Sequence, residues 1–216
     1  MENNLIIIPS RMESKRLPGK PLLDIEGTPM VIRVAKQAIK SNSGLVYIAC
    51  CDEEVYKTAQ NYGINVIMTN PNHSSGTDRI YEAFKNINNT EKIDTIINLQ
   101  GDMPTISSST ISNLVKLKKT IPSDIFTLVN EINDEDEKLD KDTVKVALSL
   151  NKSKRYGKAL YFSRSLIPYG EGPVYHHIGV YAYSRDSLEK FINLKPSELE
   201  KRESLEQLRA LEANMD

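Results

Sequence analysis

Hydrophobic positions recur along the first half of the chain in two periods, one typical of buried strands and the other of amphipathic helices. Short apolar runs predict buried parallel strands at residues 5–8, 46–50, 64–68 and 95–99. Apolar stripes at helical spacing predict helices at residues 30–40, 53–62, 77–87 and 107–119. This repetition predicts an α/β fold whose mainly parallel, mixed sheet is sandwiched by helices.

The pattern changes after residue 123. Alternating strands are predicted at 125–132 and 143–150, and the acidic stretch 133–142 between them is predicted to be a solvated hairpin tip. A further strand at 178–183 and helices at 184–194 and 197–212 complete the chain. We therefore expect a single domain over residues 1–216 with a β-rich excursion at about 124–183.

Two of the predicted helix starts carry residues that commonly cap helices. Asp52 is expected to cap the helix that follows it. The segment His73-Ser74-Ser75-Gly76-Thr77 precedes another helix and offers the same capping chemistry. Its hydroxyl and backbone groups could also read the edge of a nucleotide base, which we add as a hypothesis.

Composition and charge narrow the classes of protein. The 216 residues include 28 Lys and Arg against 29 Asp and Glu, a net charge of -1, which argues against a nucleic-acid binder. No apolar run is long enough for a signal peptide core or for membrane insertion. The only cysteines, Cys50 and Cys51, are adjacent and cannot form a disulfide framework. We expect a cytoplasmic protein.

A basic loop follows the first predicted strand. Four cations, Arg11, Lys15, Arg16 and Lys20, lie within ten residues, and Gly19 and Pro residues restrict the backbone around them. Such a loop suits a polyphosphate, because its cations can neutralise charge that grows in a transition state. Its position after a strand matters, since parallel sheets bind ligands beyond the carboxyl ends of their strands.

An acidic turn, Gln100-Gly101-Asp102-Met103-Pro104, follows the fourth predicted strand at the same edge of the sheet. A carboxylate on a tight turn suits Mg²⁺, which commonly takes one or two carboxylates together with substrate phosphates. Together, the basic loop and Asp102 predict a site for a metal-bound nucleotide.

His176 and His177 are adjacent near a strand, so only one of them can face a site. That histidine could bind an anionic or hydroxylated substrate, whereas a metal site made by both is a poor fit. Glu206 and Gln207 are predicted to lie on a helix, where such pairs are commonly solvated.

Several segments resemble the 3-deoxy-manno-octulosonate cytidylyltransferases, also called CMP-Kdo synthetases, in order and spacing from residue 5 to about 211. They are Pro9 through Leu22, HSSGTDR at 73–79, LQGDMP at 99–104, VKVAL at 144–148, ALYFSRSLIP at 159–168, HHIGVYAY at 176–183 and LEQLRAL at 205–211. The resemblance implies a nucleotide-diphospho-sugar transferase-like fold and usually a homodimer. It also implies the reaction of CTP with 3-deoxy-D-manno-octulosonate (Kdo) to give CMP-Kdo and diphosphate, for lipopolysaccharide biosynthesis.

The resemblance also implies roles for individual residues. The residues expected to be catalytic are Lys20, Arg16 and Asp102, and Asp102 is expected to bind Mg²⁺. The residues expected to hold CTP are Arg11, Ser14, Arg16, Lys20, Ser75, Gly76, Arg79 and Gln100. The residues expected around Kdo are Arg164, His177, Tyr181, Glu206 and Gln207.

Two features depart from the family pattern. Met103 stands where the family usually has Glu, which should matter little if Asp102 is the metal ligand. Similar proteins are expected to continue for about thirty residues beyond Asp216, roughly one helix and one strand, with a further metal-binding Asp in that tail.

Three alternatives stay open. A related enzyme would use CTP to activate an acylneuraminate or another sugar acid, although the RLPGKPL loop at 16–22 and the FSR segment at 162–164 favour Kdo. A truncated module could bind CTP without turnover. A dimerising scaffold would leave the four cations of the basic loop unexplained.

Overall fold

Ten strands and eight α-helices form within the part of the chain that the structure, a computed structural model, describes: residues 3–13, 17–153 and 155–216. The strands are β1 (Asn4–Ser10), β2 (Asp24–Ile25), β3 (Thr28–Pro29), β4 (Leu45–Cys50), β5 (Val66–Met68), β6 (Thr95–Leu99), β7 (Ile125–Glu131), β8 (Lys145–Leu150), β9 (Gly157–Ser163) and β10 (Tyr175–Ser184). The helices are α1 (Met30–Lys40), α2 (Glu53–Asn61), α3 (Gly76–Asn86), α4 (Ser108–Thr120), α5 (Glu135–Leu139), α6 (Arg185–Ile192), α7 (Glu198–Glu203) and α8 (Leu208–Glu212). A short 3₁₀ helix covers Lys20–Leu22.

The residues cluster into two units. The first holds Met1–Pro122 and Val180–Ile192, and the second holds Ser123–Gly179 and Asn193–Asp216. The expectation of one domain over 1–216 stays a prediction. No helix in the described ranges has both the length and the apolar character needed to span a membrane.

In the first unit, four parallel strands lie in the order β5-β4-β1-β6, and the part of β10 from Val180 onward pairs antiparallel with β6. The chain passes from β1 to β4 and β5 on one side and then returns to β6 on the other side of β1. Right-handed connections therefore place α1 and α3 on opposite faces of the sheet. The predicted α/β fold with a mainly parallel sheet between helices is confirmed, and the order reverses between β1 and β6, where such sheets bind ligands.

The core of the first unit explains why its strands were predictable. Leu5, Ile6, Ile7 and Ile8 of β1 are all fully buried, because β1 is paired on both edges and covered on both faces. All five residues of β6 are buried as well. A strand buried on both faces is mostly apolar, as β1 and β6 are apart from residues such as Asn98, and this pattern made both strands predictable from the sequence.

In the second unit, the first half of β10 lies between β7 and β8, and β9 pairs antiparallel with β8. A small apolar core of Val146, Phe162, Leu205 and Leu208 packs beneath these strands. This core connects β8 and β9 to the chain around α8.

Three sequence predictions for the second unit are wrong. Strands β7 and β8 do not form a hairpin, because each of them pairs with β10 instead. The stretch 133–142 contains the short helix α5, which begins after Asp134 caps it by accepting the amide hydrogen of Asp136. The single helix expected at 197–212 is two helices, interrupted where Ser204 takes a left-handed conformation with φ 54°.

Candidate active site

The basic loop and the acidic turn meet at the carboxyl ends of β1 and β6. Nζ of Lys20 lies 2.7 Å from Oδ2 of Asp102, and these side chains are 33% and 50% exposed. Gly19 precedes the 3₁₀ helix and has a φ of 75°, in the left-handed region that glycine adopts without strain. This conformation lets the helix begin with Lys20 beside the acidic turn. The cation expected on the triphosphate and the carboxylate expected on the metal therefore form an ion pair with each other.

An open cavity of about 810 Å³ lies over this ion pair, entirely within the first unit. Its volume is in the range that holds small-molecule ligands. Residues from three segments line it: Pro9, Ser10, Arg11, Glu13, Leu17, Lys20 and Pro21 at the end of β1 and after it, His73 to Gly76 and Arg79 around the start of α3, and Gln100, Gly101 and Asp102 after β6. The cavity thus contains the described residues that were expected to bind CTP.

Gly101 allows the loops after β1 and β6 to approach each other closely. A Cβ atom at this position would lie 3.0 Å from the carbonyl oxygen of Pro9, closer than such atoms normally come. A larger residue would push the acidic turn away from β1. The glycine of the turn therefore helps to bring Asp102 to the basic loop.

The start of α3 combines capping with presentation of polar groups to the cavity. Oγ of Ser75 accepts the amide hydrogen of Asp78 at 3.1 Å, so the predicted cap is confirmed. The hydroxyls of Ser74 and Ser75 both donate to Oδ2 of Asp78, at 2.7 and 3.0 Å. Gly76 follows them at the first position of the helix and also lines the cavity.

Arg79 contributes a buried positive charge to the cavity wall. It is 2% exposed, and its Nη1 donates to Oγ1 of Thr69 at 2.6 Å. The Thr69 hydroxyl in turn donates to the carbonyl oxygen of Cys50 at 3.0 Å. The guanidinium is thus fixed from the end of β4.

His73 and Glu82 form a pair at the cavity that sequence analysis missed. Nε2 of His73 donates to Oε2 of Glu82, which also accepts the amide hydrogen of Asn70 at 2.9 Å. Burial raises the pKa of the Glu82 carboxyl, but the hydrogen bonds from His73 and Asn70 outweigh it and leave that pKa below its ordinary value. Nine residues separate the pair, so no local periodicity indicated it.

Gln100 is held in place by its neighbour on β6. Its Nε2 donates to Oδ1 of Asn98 at 2.9 Å.

Tyr181, which was expected near the sugar, belongs to the first unit and stands opposite Asn98 in the pairing of β10 with β6.

Asp52 has a different role from the one that its sequence context predicted. It precedes α2, but its side chain makes no capping hydrogen bond. Oδ2 of Asp52 accepts the amide hydrogen of Met12 at 2.8 Å instead. The expectation of a side-chain cap is wrong because the carboxylate is turned toward the basic loop.

Among the residues expected around the sugar acid, Arg164 lies in the second unit with its hydrogen bonds directed at backbone. Its Nε donates to the carbonyl oxygen of Glu203 at 2.9 Å, and its Nη1 donates to that of Lys141 at 3.1 Å. The Glu203 carboxylate accepts the Arg164 amide hydrogen at 3.0 Å and the Ser163 hydroxyl at 2.8 Å. Glu203 is therefore a structural partner that sequence analysis missed.

His177 is the buried member of the histidine pair, at 7% exposure. The hydroxyl of Thr127 donates to the carbonyl oxygen of Ile178, so Nε2 of His177 is the donor in its 2.8 Å contact with that hydroxyl. Nδ1 can then accept from Nε2 of Gln207 at 3.5 Å. Burial lowers the pKa of His177 to about 3, with the charge of His176 adding to the effect, so the ring is neutral at physiological pH.

Glu206 and Gln207 do not lie within a helix. They occupy the turn between α7 and α8, and Gln207 is the residue that precedes α8. The turn directs Gln207 toward His177, while Oε1 of Glu206 lies 3.9 Å from Nη2 of Arg209. The expected helical position is wrong because the left-handed Ser204 ends α7 early. Ser14 and Arg16, which were expected to bind CTP, lie outside the described residues.

Comparison with known proteins bears on what this cavity binds. The profile of the family described as cytidylyltransferase matches residues 5–216. A 3-deoxy-manno-octulosonate cytidylyltransferase of Paramagnetospirillum magneticum is 45% identical over 211 residues, which is 98% of this chain and 86% of that protein. Its counterpart in Brucella canis is 49% identical over 98% of this chain and 84% of that protein.

This chain belongs to the 3-deoxy-manno-octulosonate cytidylyltransferase family.

Solved structures agree with that membership. A structure of CMP:2-keto-3-deoxy-manno-octonic acid synthetase in complex with CTP superimposes with a TM-score of 0.89 at 38% identity, covering 99% of this chain and 87% of that one. A cytidylyltransferase from Leptospira borgpetersenii, at 17% identity and a TM-score of 0.59, shares the fold. The resemblance stated from the sequence motifs is confirmed, and the chain is a nucleotidyltransferase.

The donors at the cavity of this cytidylyltransferase fit a divalent cation that is shared with a ligand. Within the described ranges, no cluster of three or more His, Cys, Asp or Glu side chains could hold a metal ion alone. Asp102 offers a half-exposed carboxylate at the cavity, and Mg²⁺ is commonly held by one or two carboxylates with phosphate oxygens and water. The residues present suit a cation that arrives with the nucleotide.

Proposed function

We propose that this chain transfers the cytidylyl group of CTP to the anomeric hydroxyl of Kdo, forming CMP-Kdo and diphosphate for lipopolysaccharide biosynthesis. The observation that carries this proposal is the convergence of Lys20, Asp102 and Arg79 on one cavity at the point where the strand order reverses. A nucleoside triphosphate carries its charge on the phosphates and its identity on the base. The cavity offers cations at one part of its wall and the polar start of α3 at another.

The chemistry required is mainly positioning and charge compensation. The sugar hydroxyl attacks the α-phosphorus in line, and the bond between the α-phosphorus and the bridging oxygen breaks to release diphosphate. Lys20 would hold the charge that develops on the leaving diphosphate, with Arg11 and, from the sequence, Arg16 nearby in the chain. Because two anions must approach each other, fixed cations supply much of the rate enhancement.

Asp102 would hold Mg²⁺ together with the phosphates, and the bound ion would polarise the α-phosphoryl group. Binding of the metal-nucleotide complex requires the Lys20–Asp102 ion pair to separate, with Lys20 turning to phosphate. Both partners are partly exposed, so separating this pair costs little, roughly 1 kcal/mol or less.

At the start of α3, the hydroxyls of Ser74 and Ser75 donate to Asp78, and Oγ of Ser75 also accepts the Asp78 amide hydrogen, so the remaining oxygen lone pairs are the groups available to a ligand. A hydroxyl oriented in this way accepts from an amino group and does not donate to a carbonyl. We assign Ser75 to the nucleotide on this basis, and we assign Gly76, Arg79 and Gln100 to it because they line the same cavity. The assignment of Arg164, His177, Glu206 and Gln207 to the sugar acid, and that of Tyr181, stays a prediction, as do the homodimer and the cytoplasmic location.

Diphosphate release by the purified chain tests the proposal. With CTP and Mg²⁺ present, we expect release on addition of Kdo, with little or none on addition of an N-acylneuraminate. Faster diphosphate release with the acylneuraminate than with Kdo would show that the acylneuraminate is the preferred substrate. Calorimetric binding of CTP without release for either acid would reduce the chain to a nucleotide-binding module.

A further inference from the structure

The first residues of the basic loop are held by a hydrogen bond to a residue that follows β4. In the parallel pairing of β1 with β4, Ser10 stands opposite Cys50. Two residues beyond each partner come Met12 and Asp52, and Oδ2 of Asp52 accepts the Met12 amide hydrogen at 2.8 Å. The thiol of Cys51 donates to the same oxygen at 3.3 Å.

Met12 is fixed on its other side as well. Its carbonyl oxygen accepts the amide hydrogen of Gly19 at 3.0 Å, which joins the beginning of the loop to its end. Arg11 precedes this joint, and Lys20 follows it directly. The bond to Asp52 therefore holds the point at which the backbones carrying Arg11 and Lys20 meet.

The use of a carboxylate here is unexpected on local grounds. An aspartate at this position would normally cap its own helix, yet α2 begins without a side-chain cap. A negative charge near a triphosphate cavity also opposes anion binding. Residues that break a local rule without local compensation commonly serve function, and the contact that Asp52 makes instead is with the loop.

We propose that Asp52 is a positioning residue for CTP binding: its carboxylate anchors Met12 and so sets the placement of Arg11 and Lys20 in the cavity. The inference rests on the proposed function only in naming CTP as the ligand. The hydrogen bond itself needs an acceptor oxygen and not a charge, which makes asparagine the conservative replacement.

Three variants separate positioning from general destabilisation. Asp52→Ala removes the acceptor, Asp52→Asn keeps one, and Asp24→Ala is the matched control. Asp24 also accepts one turn amide, that of Gly27 at 2.9 Å, but Gly27 lies outside the basic loop and does not line the cavity. We expect Asp52→Ala to raise the KM and the Kd for CTP by at least about tenfold, with a much smaller change in kcat. Asp52→Asn should stay within about threefold of the unsubstituted chain, and Asp24→Ala should not change either constant.

Hydrogen exchange of the Met12 amide, followed by mass spectrometry on the full chain, reads the contact directly. Exchange at Met12 should be faster in Asp52→Ala and unchanged in Asp24→Ala. A Kd for CTP that is the same in Asp52→Ala as in the unsubstituted chain overturns the inference, as does a tenfold loss in Asp52→Asn equal to that in Asp52→Ala. If the unsubstituted chain binds CTP without turnover, the proposed function fails while the Kd comparison still decides the role of Asp52. If that chain does not bind CTP, both proposals fail.

Discussion

The cavity of the first unit and the polar network of the second use their charged and polar groups in opposite ways. At the cavity, Lys20 and Asp102 pair with each other but remain 33% and 50% exposed. In the second unit, His177 is 7% exposed and sits between Thr127 and Gln207. The first arrangement can exchange partners when a ligand arrives, whereas the second is already satisfied internally.

The difference indicates which property each region controls. An exposed ion pair contributes little to stability, so its members are available for chemistry. A buried polar group that loses its partner imposes a desolvation penalty on folding. Substitutions at the cavity should therefore change turnover with little effect on stability, and substitutions in the network should change stability.

The largest effect is expected for Asp102→Asn, which keeps the side-chain shape but removes the charge that would hold a divalent cation. We expect kcat for diphosphate release to fall about a thousandfold, since a metal ion supplies several kcal/mol of transition-state stabilisation. The unfolding midpoint should change little. A kcat near that of the unsubstituted chain, at any Mg²⁺ concentration tested, would remove the metal assignment.

Lys20→Ala should come next, with kcat/KM lower by about a hundredfold because one cation on the leaving diphosphate is lost. Steady-state assays with varied CTP give the value, and thermal melts check that the protein remains folded. Lys57→Ala is a suitable control, because Lys57 lies on α2 and pairs only weakly with Glu53 at 3.3 Å. Equal losses in the two variants would argue against a specific role for Lys20.

Elsewhere in the second unit, Glu203→Ala is expected to lower the free energy of unfolding by about 2 kcal/mol, because buried and partly buried donors lose a charged acceptor. Those donors include the Ser163 hydroxyl and the Arg164 amide. Urea denaturation measures the change, and Glu198→Ala on the same helix is the control, since Glu198 is exposed and pairs only with the neighbouring Lys201. If the two variants are equally stable, the contrast between the regions does not hold.

A further effect on stability, of similar size, concerns pH. Because burial keeps the pKa of His177 at about 3, the unfolded chain binds a proton at this residue between about pH 6.5 and 3 that the folded chain does not. Stability should therefore fall as the pH is lowered through that window. This residue alone should contribute a loss of about 2 kcal/mol between pH 7 and pH 5. His177→Gln should show a shallower decline in urea denaturation at the two pH values, and an unchanged slope would contradict the assignment.

Much of the first unit could be predicted because its signals are local. The strand Thr95–Leu99 was predicted with the bounds that the structure shows, since a strand buried on both faces is mostly apolar. The basic loop and the acidic turn could be placed at the same edge, because both follow parallel strands. Their side-chain contact, Lys20 with Asp102, follows from the neighbouring positions of β1 and β6.

Other features depended on partners that are distant in sequence. Strands β7 and β8 were recognised, but their pairing with β10 was not, because alternation indicates a strand and not its neighbour. The segment that forms β9 was identified as part of a family motif but was not predicted to be a strand. No sequence pattern indicated that Glu203 accepts a hydrogen bond from Ser163 at the end of that strand. The turn that brings Gln207 to His177 depends on one left-handed residue, Ser204, which helical periodicity does not reveal.

The α/β class, the family and the residue types gathered at the cavity could all be predicted from the amino-acid sequence, because periodicity and motif spacing are properties of nearby positions. The folded structure was needed to show that Asp52 holds Met12 instead of capping α2, that His73 pairs with Glu82, and that His177 is buried and neutral. In each case a side chain has several possible hydrogen-bond partners of similar strength. The choice among them is made by which strand ends and helix starts the fold brings within reach.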